Sequence, residues 1–146
     1  MFGNYTRSLD EKNRVMIPAK LRDPLGDNFY ITLGPDNVLE IRDEKHFSVW
    51  RDRLLAANSL NINARMFARI LLGNTHEVST DKQGRITLTE QFLTKTGITK
   101  EITFVGVGNK VELWPTKAFA KFQTKFNNEG SIDDLAEKLL KDGVEL

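Results

Sequence analysis

Arg14 and Arg85 each stand four residues after an aspartate, Asp10 or Asp81, with a lysine between them at Lys12 or Lys82. A guanidinium presents five N–H donors in a planar fork, and a lysine ammonium is a compact charge. Side by side they suit the oxygens of a phosphate. The plainer reading of each arginine is a surface ion pair with its own aspartate. The two readings are compatible if the aspartate orients the arginine. The aspartates themselves are read as structural, because a carboxylate facing phosphates is repelled, whereas one closing a turn is stabilising.

Other cations lie nearby in sequence. Lys12, Arg7, Lys20, Lys82 and Arg22 are each, taken singly, more often part of a solvated face than a binding group; Arg7 and Lys12 are favoured because they share a neighbourhood with Arg14, and Lys20 and Lys82 complete the candidate set. Residues for bond-breaking chemistry are missing as a set. His46 and His76 are the only histidines and have no partner at metal-ligand spacing, and no nucleophile accompanies the His76-Glu77 pair. Gly106-Val107-Gly108 lacks the third glycine and following helix of a dinucleotide loop. Neither an enzyme with a small-molecule substrate nor a cofactor is expected.

The elements that must position the arginines can be read around the motif. In Leu9–Ile17 and Thr80–Leu88, Asp opens a tight turn by bonding its own backbone two residues on, and Asn13 or Gly84 fills the fourth place, where a left-handed conformation is tolerated. Val15 and Ile17, or Ile86 and Leu88, then alternate with Met16 or Thr87 as in a half-buried strand, which turns Arg14 and Arg85 away from the apolar side.

The repeat extends further. Ser8 matches Ser79, Asp10 matches Asp81, Arg14 matches Arg85 and Gly26 matches Gly97; after one inserted residue Gly34 matches Gly106, Glu40 matches Glu112 and Phe47 matches Phe119. Each copy reads as a strand (Tyr5 to Leu9 in the first), the turn, a second strand, a short helix, a β-hairpin and two helices. Pro18 is placed as the first residue of the short helix, with Thr89-Glu90 in the second copy. The hairpins are Phe29 to Leu33 with Val38 to Arg42, and Ile102 to Val107 with Lys110 to Trp114. Phe47, Trp50 and Leu54, and again Phe119, Phe122 and Phe126, are spaced as one core-facing stripe of a helix rather than as base-stacking aromatics. Asn61 and Ser131 are expected to cap the last helices, which carry Ile62, Met66 and Ile70 or Ile132, Leu135 and Leu139.

A chain of 146 residues with 40% hydrophobic content suffices for one domain or two small ones. Half of it, with a few short strands, is marginal alone, and no Pro/Gly/Ser-rich linker separates the halves. Residues 1–73 and 74–146, with cores at about 5–47 and 76–119, are therefore expected to interlock in one pseudo-twofold α+β unit with peripheral helices. No apolar run is long enough to span a bilayer, the start lacks the pattern of a secretory signal, and there is no cysteine, which fits a cytoplasmic protein. The net charge of +1 hides an asymmetry: six acids against two lysines from Asn127 onward give −4, leaving +5 on the rest. A basic body points to a polyanion partner.

Two framed copies of Asp-x-x-x-Arg, the first followed by Ile17-Pro18-Ala19-Lys20-Leu21-Arg22 and preceded by Phe2-Gly3-Asn4-Tyr5-Thr6-Arg7-Ser8-Leu9, resemble the MraZ family of bacterial proteins over essentially the whole chain. That resemblance implies a duplicated swapped-hairpin fold of the AbrB/SpoVT kind with a β-barrel core. It also implies sequence-specific binding of double-stranded DNA, regulation of a division and cell-wall gene cluster, nucleoid association, and assembly into homo-oligomeric rings. Asn13 departs from the family's glycine, and Thr89 stands where the first copy has Pro18. The second copy also carries Glu77, Glu90 and Gln83, which ranks the first motif above the second for DNA affinity. The alternative is an antitoxin-like protein-binding module on the same fold. Two motif copies and a helical tail, in place of one copy and a disordered tail, favour the regulator.

Overall fold

Short alternating stretches separated by Asp, Asn and Gly turns make most of this chain into antiparallel strands. The computed structural model describes residues 1–57, 60–130 and 132–145, which fall into two compact units, Met1–Pro115 and Thr116–Leu146. The first unit contains β1 (Phe2–Ser8), β2 (Arg14–Met16), α1 (Ala19–Leu25), β3 (Asn28–Leu33), β4 (Leu39–Asp43), α2 (Glu44–Ala56) and α3 (Ile62–Gly73). It continues with β5 (Thr75–Ser79), β6 (Arg85–Thr87), α4 (Glu90–Thr96), β7 (Glu101–Val107) and β8 (Val111–Pro115). The second unit holds α5 (Thr116–Glu129) and α6 (Ile132–Lys141).

Six strands form one antiparallel sheet in the order β1-β7-β8-β4-β3-β5, and β2 pairs with β6 in a separate ribbon. The first strand of each copy thus lies on the hairpin of the other, β1 on β7 and β5 on β3. Equivalent residues face each other at the centre: Val15 opposite Ile86, and Glu40 opposite Glu112. The strand pairing is therefore symmetric under exchange of the copies.

The α+β class agrees with the sequence reading, but the expected barrel does not close. β1 and β5 remain edges of the large sheet, and β2 and β6, three residues each, pair only with one another. Strands this short satisfy each other's ladder and leave nothing to bridge the two edges. The repeat alignment also needs correcting. Phe29 lies opposite Asp43 as Ile102 lies opposite Pro115, so the counterpart of Ile102 is Phe29 rather than Tyr30. Leu33, opposite Leu39, is likewise the counterpart of Gly106, opposite Val111, so Gly34 does not match Gly106. The second copy gains two residues before β7, where Ile98 is buried, and loses one in the hairpin loop.

The core is assembled from both copies. Val15, Ile17, Leu21, Phe29, Ile31, Leu39 and Ile41 pack with Ile86, Leu88, Phe92, Ile102, Phe104, Val111 and Leu113. Two glutamates facing each other across β4 and β8 would repel. Lys110 relieves this, its Nζ lying 2.8 Å from Glu40 and 3.8 Å from Glu112, and buried Arg42 reaches Glu40 at 2.9 Å while stacking on Trp50.

The helices start largely where their caps predict. Asp43, Asn61 and Thr89 accept backbone N–H bonds from His46, Ala64 and Phe92. Pro18 is the residue before α1 rather than its first, with an extended ψ of 135°, and Ser131 lies outside the described residues. On α2 the aromatic stripe is covered only in part, with Phe47 buried and stacked on Tyr30 while Trp50 and Leu54 are half-buried. On α5 the matching stripe is not buried throughout: Phe122 is 50% exposed, its ring between those of Phe119 and Phe126. On α3, Ile62, Met66 and Ile70 are exposed and Leu71 is buried instead. No helix among the described residues is long and apolar enough to cross a membrane.

Candidate nucleic-acid interface

Each aspartate is the hub of its turn. Asp10 Oδ1 accepts the backbone N–H groups of Lys12 and Arg14, both at 2.9 Å, and Oδ2 accepts the Nε–H of Arg14 at 2.7 Å. Asp81 repeats this with the backbone N–H groups of Gln83 and Arg85 and with the Arg85 Nε–H, all at 2.9 Å. The backbone closes both turns in the same way, Asp10 N–H donating to Arg14 O and Asp81 N–H to Arg85 O. In each copy the arginine's backbone N–H is the largest influence on the aspartate. Together with the arginine side chain it holds the carboxyl below its ordinary pKa, against the opposing effect of desolvation.

The fourth turn residue is left-handed in both copies, with φ of 59° at Asn13 and 79° at Gly84. Asn is among the few residues with a side chain that visit this region routinely. From here the chain enters β2 or β6, and the ribbon is extended by Ile17 N–H donating to Gly84 O and Leu88 N–H to Asn13 O. This brings the corners together, with Arg85 Nη1 lying 3.9 Å from Asp10 Oδ2. The arginines are partly exposed while Val15 and Ile86 between them are buried.

The other candidates are placed less uniformly. Lys12 and Lys82 are exposed within the turns and Lys20 in the first turn of α1, and none of these side chains has a hydrogen bond or ion pair among the described residues. Arg7 is exposed near the end of β1, where its Nη1 donates to Thr6 O; among the described residues no hydrogen bond or ion pair joins it to the corners. The described residues include no group of three or more His, Cys, Asp or Glu side chains placed to hold a metal.

Sequence reasoning passed over Arg22. Its Nε–H donates to Ile17 O at 3.1 Å, and its guanidinium lies against Gly84 so closely that a Cβ there would stand 2.7 Å from Cζ and Nη1. The one available signal was a glycine in the second turn where the first accepts Asn13.

Two Asp-anchored arginines on one antiparallel ribbon, framed by a six-stranded sheet that both copies share, define a two-corner α+β protein. A family model described as "MraZ protein, putative antitoxin-like" matches residues 1–70 and again 71–142. The chain is similar to the transcriptional regulator MraZ of Mycoplasma mobile, 42% identical over 146 residues and all of both chains. It is 43% identical to that of Mycoplasmopsis pulmonis over 145 residues, 99% of this chain and 98% of the relative. With that of Clostridium acetobutylicum it shares 36% over 144 residues, 97% of this chain and 98% of the relative. The chain belongs to the MraZ family of transcriptional regulators.

Proposed function

We propose that this protein regulates transcription by binding double-stranded DNA sequence-specifically through Arg14 and Arg85. The observation that carries the reading is how each arginine is held. Its Nε is tied to an aspartate; Arg85 Nη1 also lies 3.9 Å from Asp10 Oδ2, but the Nη groups of neither arginine make a hydrogen bond among the described residues. That free edge fits guanine O6 and N7, or two phosphate oxygens, and its prior ordering reduces the entropy lost on binding. Lys12, Lys82, Lys20 and Arg7 add attraction to the backbone without reading bases.

The resemblance supplies the targets, promoter repeats of a division and cell-wall gene cluster, and a cytoplasmic, nucleoid-associated location. It also supplies the swapped-hairpin AbrB/SpoVT fold, with 1–73 and 74–146 as interlocked repeats; the reciprocal pairing of β1 with β7 and β5 with β3 supports this. A homo-oligomeric ring is supported by the apolar side chains that Leu55, Ile62, Met66, Phe67 and Ile70 leave exposed. Repeated weak corners on one assembly bind repeated sites tightly.

Selection from random double-stranded DNA tests the function. A recurrent motif enriched by the wild-type chain and lost with Arg14→Ala supports it, and no enrichment overturns it. The antitoxin-like reading, favoured by the family's description, is the one left standing if no DNA is enriched. For the interlocked repeats, a cooperative monomeric melt of Met1–Gly73 alone, like that of the full chain, would refute the interlocking. A monomer in light scattering at micromolar concentration would refute the oligomer.

A further inference from the structure

We propose that Arg22, carried by the first copy, is a DNA-backbone contact of the second corner. The inference rests on the DNA-binding reading above and concerns which groups make up the surface.

Arg22 is anchored to the end of β2 through Ile17 O, yet its guanidinium covers the second turn at Gly84. Ile17 N–H donates to Gly84 O, so the end of β2, this turn and Arg22 form one connected group. Among the described residues the Arg22 side chain has no other hydrogen bond and no ion pair, and it is only partly buried, so its Nη groups retain donors for a further acceptor. The position equivalent to Arg22 in the second copy is Leu93, which packs against the core and adds no cation to the first turn.

Lys12 at the first corner is replaced by Gln83 at the second, and Arg22 stands beside that turn with a charge from outside it. Asp23 and Asp27 line the small cleft that Arg22 shares with Thr80, but no ion pair joins either to it among the described residues. Their repulsion of phosphate limits the contact to the part of the guanidinium that neither they nor the Gly84 turn covers. A cation held by its Nε against a turn, with its fork free, suits a phosphate oxygen.

The test uses the full chain with two probes: a duplex recovered by selection from random DNA, and a duplex of random sequence. Affinity is measured across a salt series, with thermal melts of each variant. Arg22→Gln is expected to weaken both probes alike and flatten the salt slope by about one per engaged subunit. Arg22→Lys is expected to restore most of the slope, because it returns the charge without the Nε bond to Ile17. In wild type, either duplex is expected to protect Arg22 from an arginine-specific dicarbonyl reagent, a readout that does not depend on whether Arg22→Gln folds. An unchanged slope in folded Arg22→Gln, or unprotected Arg22 in the wild-type complex, overturns the inference and leaves the DNA reading intact. Failure of wild type to bind either duplex overturns both.

Discussion

The two corners share one hydrogen-bond frame and differ in what surrounds it. In both, aspartate gathers two backbone N–H groups and one arginine Nε. The first turn then carries Glu11, Lys12 and Asn13, and the second Lys82, Gln83 and Gly84 under Arg22. The frame follows from local bonding and survives the divergence of the copies. The display of charge depends on neighbours and does not. Asp10 sharpens the contrast, since it lies near both arginines whereas no ion pair joins Asp81 to Arg14 among the described residues.

The largest test of that contrast is Arg14→Ala. It is expected to remove most DNA affinity, with about 1–3 kcal/mol of discrimination lost at one base pair if Arg14 reads a guanine. Stability should change by less than about 1 kcal/mol, because Arg14 fills no core space. Titration of selected DNA at two salt concentrations, alongside circular-dichroism melts, checks both; wild-type affinity would end the assignment.

Arg85→Ala is expected to cost less affinity than Arg14→Ala, because Arg22 remains at that corner. The same titration on Arg85→Ala with and without Arg22→Gln sharpens the point. A double variant no weaker than Arg85→Ala would show the corners to be alike in depending on one arginine each.

Exchanging the turn residues should expose the packing difference. Gly84→Asn keeps a residue tolerant of positive φ but drives its Cβ into Arg22, and is expected to cost about 1 kcal/mol in urea denaturation. Asn13→Gly is expected to cost about 0.5 kcal/mol through the unfolded chain alone. Equal costs would mean that Arg22 moves aside freely.

The smallest effect is an acid dependence. Asp10 and Asp81 have lowered pKa values in the fold, so their stabilisation is present above the unfolded pKa and lost as pH falls through the folded one. Asp10→Asn is expected to lower the melting temperature at neutral pH and to narrow the gap from wild type below about pH 4. A gap independent of pH would mean that the charge of Asp10 contributes nothing to its turn.

Much of this site was legible in residues that act on their neighbours. Asp10 and Asp81, four residues before an arginine with Asn13 or Gly84 between, specify the turn, and alternation in Val15–Ile17 and Ile86–Leu88 specifies which way Arg14 and Arg85 face. Asn61 marks a helix start for the same local reason, an oxygen able to reach an N–H within one turn. The apolar stripes were legible only as stripes. Phe47 meets Tyr30 and is buried, while Ile62, Met66 and Ile70 remain exposed, because periodicity says that a face exists and not what covers it.

What only the tertiary structure decided joins residues far apart in the chain. β1 pairs with β7 and β3 with β5, β2 and β6 close on each other instead of completing a barrel, and Arg22 settles on Gly84. The register of β3 and β7 likewise departed from the alignment of the copies, since matching glycines do not reveal which residues face each other across a sheet. Local bonding acts within a few residues, where residue type alone is enough. Strand partners and packing depend on how a whole core is shared between copies, and many pairings satisfy the same alternation until that core is assembled.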